Sequence, residues 1–437
     1  MPPPKQIARE VFYKTLASID IPAVMGRKVQ FEHSKLLLPS CCIDLSALSR
    51  VVIIGIGKAT HSMVEGLIAQ LPAGTSFTGV VAAPTHPSKP VPGLEYFVCG
   101  HPIPNSDSLR SAEAILRILR TCDSHTLVFF LLSGGGSALV ELPLEHSASL
   151  NDVQTFHQAL VTCGAPIHAM NTVRRHLSAV KGGRLALAAG AAEKVTLAVT
   201  DVPAGKESAL ASGPTLADPT TLTDVLRVLE EFDLPKRFPA SIQQWLSSGR
   251  MPETPKPGDP AFANSHFELL LGMDDLFHAA HHAVEAHGYV SICDNSTDDW
   301  PVEKAADNLL SQLEEWRREN PGERVAVIAD GEVSSRVTGK GTGGRNSAFV
   351  LACVEKIADR KITVLSCGTD GIDGNSPAAG AVADGSTLAR AKSLGLDPRA
   401  AFRESDAYSF FAKLDDAIVT GPTGNNLRDL RILLAEP

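Results

Sequence analysis

The sequence predicts an α/β protein of two domains, and three observations carry that reading. Short apolar runs alternate with amphipathic segments of helical period almost from end to end, the pattern of strands and helices layered around mostly parallel sheets. Several runs are apolar throughout, as strands covered on both faces must be. The 437 residues exceed the roughly 250–300 that one hydrophobic core organises.

In chain order the expected strands are VVIIGI from Val51, GVVAAP from Gly79, TLVFFLL from Thr126, VTLAV from Val195, FELLL from Phe267, YVSIC from Tyr289, RVAVIA from Arg324 and ITVLSC from Ile362. Helical spacing runs over Ser108–Arg120, Met273–Gly288 and Val302–Asn320. The interval Ser247–Pro260 holds four prolines and little apolar content, so it reads as a connection leaving the first domain. A larger N-terminal Rossmann-like parallel-sheet domain is therefore expected over 1–245, a linker over 246–265 and a smaller α/β domain over 266–437, with a cleft between them.

A net charge of -9 argues against nucleic acid, whose phosphates call for a basic face. The longest apolar stretch, around Val128–Leu132, is far short of the ~20 residues that span a bilayer. Eight cysteines without CxxC or metal spacing suggest buried thiols in a reducing, cytoplasmic setting, an organellar address remaining open. Adjacent Cys41 and Cys42 read as packing residues. A monomer or homodimer is expected, without nucleic-acid or membrane partners.

Chemistry collects behind the strands. VVIIGI leads into GKAT, VFFLL into SGGGS, TLAV into TDVPAG, VAVIA into DGE and TVLSC into GTDGIDG. Parallel sheets bind ligands at the carboxyl ends of strands, where backbone amides face outward, so five such loops read as the rim of one site. Ser133, Gly134, Gly135, Gly136 and Ser137 can form a phosphate nest before a helix starting at Ser137, or only a tight strand-to-helix turn. GIGKAT puts Thr60 where a dinucleotide fingerprint needs its third glycine, and no Walker motif occurs.

MNTVRRHLSAVKGGRLA, 170–186, reads as one helix with Asn171 at its N-cap, Arg174, Ser178 and Lys181 on one face, and Gly182-Gly183 as its stop. This basic stripe is either a solvated surface or an anion site. In DGEVSSRVTGKGTGGRNSAF, glycines surround Lys340 and Arg345, and Arg345 and Asn346 stand at a helix start, suited to a phosphate or carboxylate; a capped surface hairpin is the alternative. Asp370 and Asp373 of GTDGIDG can ligate a hard cation but better fit turn chemistry. His278 and His282 lack accompanying ligands and are expected to pack.

GIGKA, HPIPNSDS, LLSGGGSALVELP, NTVRRHLSAVKGGRLA, TDVP followed by ASGPT, GKGTGGRN, GTDGIDG and TGPTGNNLRDLRILL together resemble the MOFRL-type glycerate kinase family, collinearly over nearly the whole chain. The resemblance implies a C-terminal MOFRL region over about 322–430, and phosphorylation of D-glycerate by ATP with Mg2+, usually to 2-phosphoglycerate. It also implies functional roles for Lys58 and Arg345. Two departures are local. Ala204, Gly205 and Lys206 follow TDVP where the family commonly has glycine and an acid, so an acidic or metal role there falls on Asp201 alone; Ser347 replaces the usual glutamine after GGRN.

Phosphoryl transfer mainly requires positioning and charge neutralisation. On that basis the Ser133–Ser137 loop and Lys340, Gly341, Gly343, Gly344 and Asn346 are expected to hold the triphosphate, with Lys58 and Arg345 stabilising the migrating group. Asn171, Arg174 and Lys181 would bind substrate, and Asp201, Glu332 or Asp370 would hold Mg2+ or take the hydroxyl proton. Two rivals remain: an NAD(P)-dependent hydroxypyruvate reductase, which Thr60 disfavours, and a non-catalytic metabolite-binding protein.

Overall fold

The computed structural model describes residues 2–437 except His146, Asp201, Pro203, Ala204 and Asn426. The chain divides into two compact units, Ile21–Leu271 and Met1–Asp20 with Gly272–Pro437.

The larger unit begins with a helix, Ile21–Lys28, followed by an antiparallel ribbon, β1 (Gln30–Glu32), β2 (Lys35–Leu37) and β3 (Cys42–Asp44). Its main sheet contains β4 (Arg50–Ile56), β5 (Phe77–Ala83), β6 (Leu94–Val98), β7 (Thr126–Leu132), β8 (Glu193–Val199) and β9 (Ser265–Leu271). Their order is β6-β5-β4-β7-β8-β9, and every pairing is parallel. The chain thus builds outward from β4 to one edge, returns beside β4 as β7, and builds to the other edge. Every residue of β7 is buried, which is why TLVFFLL contains no polar alternation. The helix expected from Ser108 spans Ser106–Leu119 because Asn105 caps it, accepting from the Ser108 amide at 3.0 Å.

Three expectations about this unit change. The segment 170–186 is not one helix: Ile167–Leu177 is helical, Ser178 is extended, Gly182 and Gly183 have φ of 56° and 82°, and a new helix spans Arg184–Ala188. Asn171 therefore lies inside the first helix, whose N-cap is Pro166, and Ser178 and Lys181 do not continue the helical face of Arg174. The proline-rich interval does not leave the unit. Thr254 Oγ1 donates to Asp218 Oδ2 at 3.0 Å, and the Asp218 amide donates to Pro255 O at 3.0 Å, so the segment packs back before feeding β9. The boundary accordingly falls after Leu271 rather than near residue 245, because FELLL is the strand that completes the edge beside β8.

The smaller unit contains β10 (Tyr289–Asp294), β11 (Arg324–Ala329), β12 (Ile362–Gly368), β13 (Gly380–Asp384), β14 (Ala417–Ile418) and β15 (Asp429–Ala435), ordered β10-β11-β15-β12-β13-β14. Among the described strands of this sheet only β10 and β11 pair in parallel; β15 enters between β11 and β12 running the opposite way. The sheet is mixed, not mostly parallel as periodicity suggested. Residues 1–20 also belong here. The helix Pro4–Ser18 buries Ile7, Ala8, Val11 and Phe12 against this sheet, Lys5 Nζ donates to Asp416 at 2.9 Å, and Asn425 Nδ2 donates to Ile19 O at 2.6 Å.

All eight cysteines are free, but Cys42 and Cys293 are exposed rather than buried; Cys42 sits on the outer side of the short ribbon. No helix among the described residues is long and apolar enough to cross a membrane.

Phe12 is wholly buried, so Phe12→Ala should cost about 3–5 kcal/mol. Urea titration should show a lower midpoint for the transition of the smaller unit, and an unchanged midpoint would contradict the assignment of residues 1–20 to it.

Candidate functional site

In the larger unit, the loops after β4 and β7 meet where the strand order reverses, the position at which open parallel sheets receive ligands. They are clasped together by backbone. The Lys58 amide donates to Gly134 O at 2.9 Å, the Ala59 amide to Ser133 Oγ at 3.0 Å, and the Ser133 amide to Ile56 O at 2.9 Å. Gly57 has φ 139° and a Cβ there would strike Ser133, so only glycine permits this approach. Gly135, at φ 88°, passes beside His101 and the Lys58 stem.

The glycine turn leaves the amides of Gly134, Gly135, Gly136 and Ser137 without a partner among the described residues. The exposed Lys58 ammonium likewise makes no hydrogen bond or ion pair with a described residue. A cavity of about 220 Å³ is lined by Gly134–Ser137, His101, His157 and Arg174. Arg174 is only 7% exposed, yet no described carboxylate pairs with it. Its Nη1 reaches Asn171 Oδ1 at 3.5 Å, and its buried Nε is unpartnered, as is Asn171 Nδ2. Asn171 Oδ1 also accepts from Ser212 Oγ at 2.9 Å, and that hydroxyl lies 2.8 Å from Ser137 Oγ. Burial lowers the affinity of Arg174 for its proton, and burial followed by the Lys58 charge lowers that of His101. The cavity therefore offers cations and N–H donors in excess of protein acceptors.

Lys181 is not part of that surplus. It is buried, with Nζ 2.7 Å from Glu141 Oε2 and 3.0 Å from Val140 O. Glu141 also accepts from Ser178 Oγ at 2.6 Å, the Leu142 amide at 2.9 Å and His157 Nε2 at 2.9 Å. Burial alone would raise the carboxyl pKa, but Lys181 and His157 hold it well below the usual range. The expected substrate lysine is thus an internal ion pair beneath the glycine turn, because the bend at Ser178 directs it inward.

In the smaller unit, a cavity of about 790 Å³ is lined by residues including Glu332, Gly341, Gly343, Arg345, Asn346 and Asp370. Its glycine loop differs from the first. The Gly341 amide donates to Glu404 O at 2.9 Å, Gly343 to Asn375 Oδ1 at 2.8 Å, and Gly344 to Asp373 Oδ2 at 3.1 Å. Asp373 also accepts the Asn346 and Ser347 amides, each at 2.9 Å. A carboxylate of the protein therefore occupies the helix start where a phosphate was expected. The glycines instead admit close approach of Glu404, Asp406 and Asp373, into which any Cβ would intrude. Lys340 is exposed and does not line the cavity. Asn346 is buried and accepts from Ser366 Oγ at 2.6 Å.

Arg345 is held on two sides, with Nε 2.5 Å from Asp429 Oδ2 and Nη1 2.7 Å from Glu332 Oε2. Although burial opposes it, these carboxylates raise the guanidinium pKa above its ordinary value. Asp370 Oδ1 accepts the Ile372 amide at 3.0 Å, an Asx-turn. Asp201 lies outside the described residues. Among the described residues no group of three or more His, Cys, Asp or Glu stands in metal-holding geometry.

Sequence reasoning did not single out His101, Glu141, His157 or Asp429, and it read Asp373 as a turn residue or cation ligand where the structure makes it the acceptor at a helix start. His101 and Glu141 lay inside quoted motifs. His157 lay in a helix with no local signal, and only the fold brings it to Glu141.

Amides and a lysine without partners among the described residues, at the reversal of an open parallel sheet, are the features of an α/β protein suited to anionic ligands. A family described as a domain of unknown function, DUF4147, matches residues 7–247, and the MOFRL family matches residues 325–429. The D-glycerate 2-kinase of Thermotoga maritima is 32% identical over 388 residues, covering 88% of this chain and 90% of that protein. An Agrobacterium vitis relative, whose hydroxypyruvate reductase designation is provisional, is 35% identical over 391 residues, covering 88% and 87%. The crystal structure of Thermotoga maritima glycerate kinase superposes with a TM-score of 0.85 at 31% identity, covering 99% of each chain. The chain belongs to the MOFRL-type glycerate kinase family, and it is a kinase.

Lys181→Ala would strand Glu141 as a buried, unpaired charge, costing about 3–5 kcal/mol, whereas Lys58→Ala should leave thermal stability unchanged. Equal melting temperatures for both variants would contradict the burial described. Because the Glu141 pKa is depressed on folding, its contribution is present above the unfolded value of 4.5 and lost as pH falls below it. Glu141→Gln should therefore flatten the stability profile on the acid side of about pH 4.5, measured by denaturant titration.

Proposed function

We propose that this protein transfers the γ-phosphoryl group of ATP to D-glycerate, giving 2-phosphoglycerate. The observation that carries the reading is the pairing of uncompensated cations with free amides around one small cavity. Arg174, with Asn171 beside it, suits the carboxylate of a small hydroxy acid. Lys58 and the Gly134–Ser137 amides suit phosphoryl oxygens, whose charge is spread over equatorial positions as the bond to the leaving nucleoside diphosphate breaks.

The contributions of the smaller unit follow from its own geometry. Arg345, aimed by Asp429 and Glu332, is a preorganised cation for polyphosphate. Glu332 and Asp370 line the larger cavity with the hard oxygen donors that Mg2+ favours. Bound there, Mg2+ would neutralise phosphate charge. Asp201 retains its proposed role as metal ligand.

A nicotinamide-dependent hydroxypyruvate reductase is the second reading, since one relative bears that designation. Against it, Thr60 is buried and packs on Gly55, so the turn cannot present the third glycine of a dinucleotide fingerprint.

Incubation with D-glycerate, ATP and Mg2+, coupled to enolase with and without phosphoglycerate mutase, distinguishes the products. Signal without mutase is expected; signal only with mutase would assign the 3-phosphate, and NADH oxidation with hydroxypyruvate instead would overturn the kinase reading. Lys58→Ala should reduce kcat about 10²-fold, while Arg174→Ala should chiefly raise KM for glycerate, both from initial-rate kinetics.

A further inference from the structure

The glycerate cavity contains a histidine that neither the motifs nor the relatives assign. His157 lines it beside Arg174 and the glycine turn, and its Nε2 lies 2.9 Å from a Glu141 oxygen. Glu141 is 3% exposed and carries three further donors from Ser178, Leu142 and Lys181, so its position is fixed from four directions. An ionised carboxylate in that place dictates the tautomer: Nε2 carries the proton and Nδ1 keeps a free lone pair. Nδ1 has no hydrogen-bond partner among the described residues.

We infer that His157 is the general base of the reaction, accepting the proton of the attacking glycerate hydroxyl at Nδ1, and that Glu141 is the residue that positions it. The inference rests on the phosphotransfer reading above. In the step, the substrate oxygen forms a bond to the γ-phosphorus as the bond from that phosphorus to the β-bridging oxygen breaks. The hydroxyl proton moves to His157 Nδ1, and the nucleoside diphosphate leaves with the bridging oxygen. His157 then returns its proton to solvent or product.

The charged groups facing the ring are Glu141, Lys181 and Arg174. Burial lowers the imidazole pKa first, and the two cations add to this against the opposing pull of Glu141. The ring is therefore neutral, and competent as a base, at neutral pH. His101 lines the same cavity but pairs with no carboxylate among the described residues, which makes it the competitor.

The experiment is the pH dependence of kcat with D-glycerate, ATP and Mg2+ for the wild type, His157→Gln, His101→Gln and Glu141→Gln, with glycerate binding measured by calorimetry. In His157→Gln, kcat should fall about 10²-fold or more, the acid limb of the profile should vanish, and glycerate affinity should change less than threefold. In Glu141→Gln the acid limb should move to lower pH, because the charge that favoured protonated His157 is gone; this shift provides the test should His157→Gln fail to fold. Wild-type kcat and an intact limb in His157→Gln would overturn the inference, as would a limb lost only in His101→Gln. A wild type that binds glycerate without phosphorylating it would overturn the phosphotransfer reading itself, a distinguishable result.

Discussion

Everything at the larger unit's site depends on one constraint, the reversal of strand order between β4 and β7. Two neighbouring parallel strands whose connections run outward in opposite directions cannot both cover the crevice at their carboxyl ends. The loops there must satisfy one another or remain open. Here they do both. Gly57, Lys58, Ala59 and Ser133 tie the loops together through backbone contacts, and that rigidity leaves the next four amides facing outward together.

The two glycine loops show that similar composition can serve opposite ends. After β7, glycine produces a turn whose donors are free. In GKGTGGRN, glycine allows the backbone to press against Glu404, Asp406 and Asp373, and its donors are consumed internally. The same contrast holds for the cations. Lys58 and Arg174 lack anionic partners among the described residues, whereas Lys181 and Arg345 are each fixed by buried or half-buried carboxylates. A preorganised charge and an available charge are different instruments, and local composition does not distinguish them.

The legible parts of the sequence were those governed by local rules. Every expected strand exists, because a wholly apolar run of six or seven residues bounded by glycine has few alternatives to a central strand. β15 was missed because DLRILLA contains Arg431, which is entirely buried; its Nη2 reaches the Gly331 carbonyl at 2.9 Å across the sheet, a partner that adjacent residues cannot reveal. The helix drawn through Ser178 and Lys181 failed for a similar reason. Helical spacing continues past Leu177 in the sequence, but Ser178 bridges to Pro143 and Lys181 to Glu141, and tertiary pairing outweighs propensity there. Lys58 and the glycine turn were proposed from motif and strand ending, and the structure brings their two loops together. The dyad of Glu141 and His157 was not, since sixteen positions separate them and only the packed helix joins them.

The residence of the first twenty residues in the smaller unit makes the larger unit an insertion within it. On the ribosome, the opening helix emerges long before its binding surface exists. The larger unit can be finished from contiguous chain, but the smaller sheet lacks a middle strand until β15 has been made. Co-translational folding can therefore complete the inserted portion before the enclosing sheet has its middle strand.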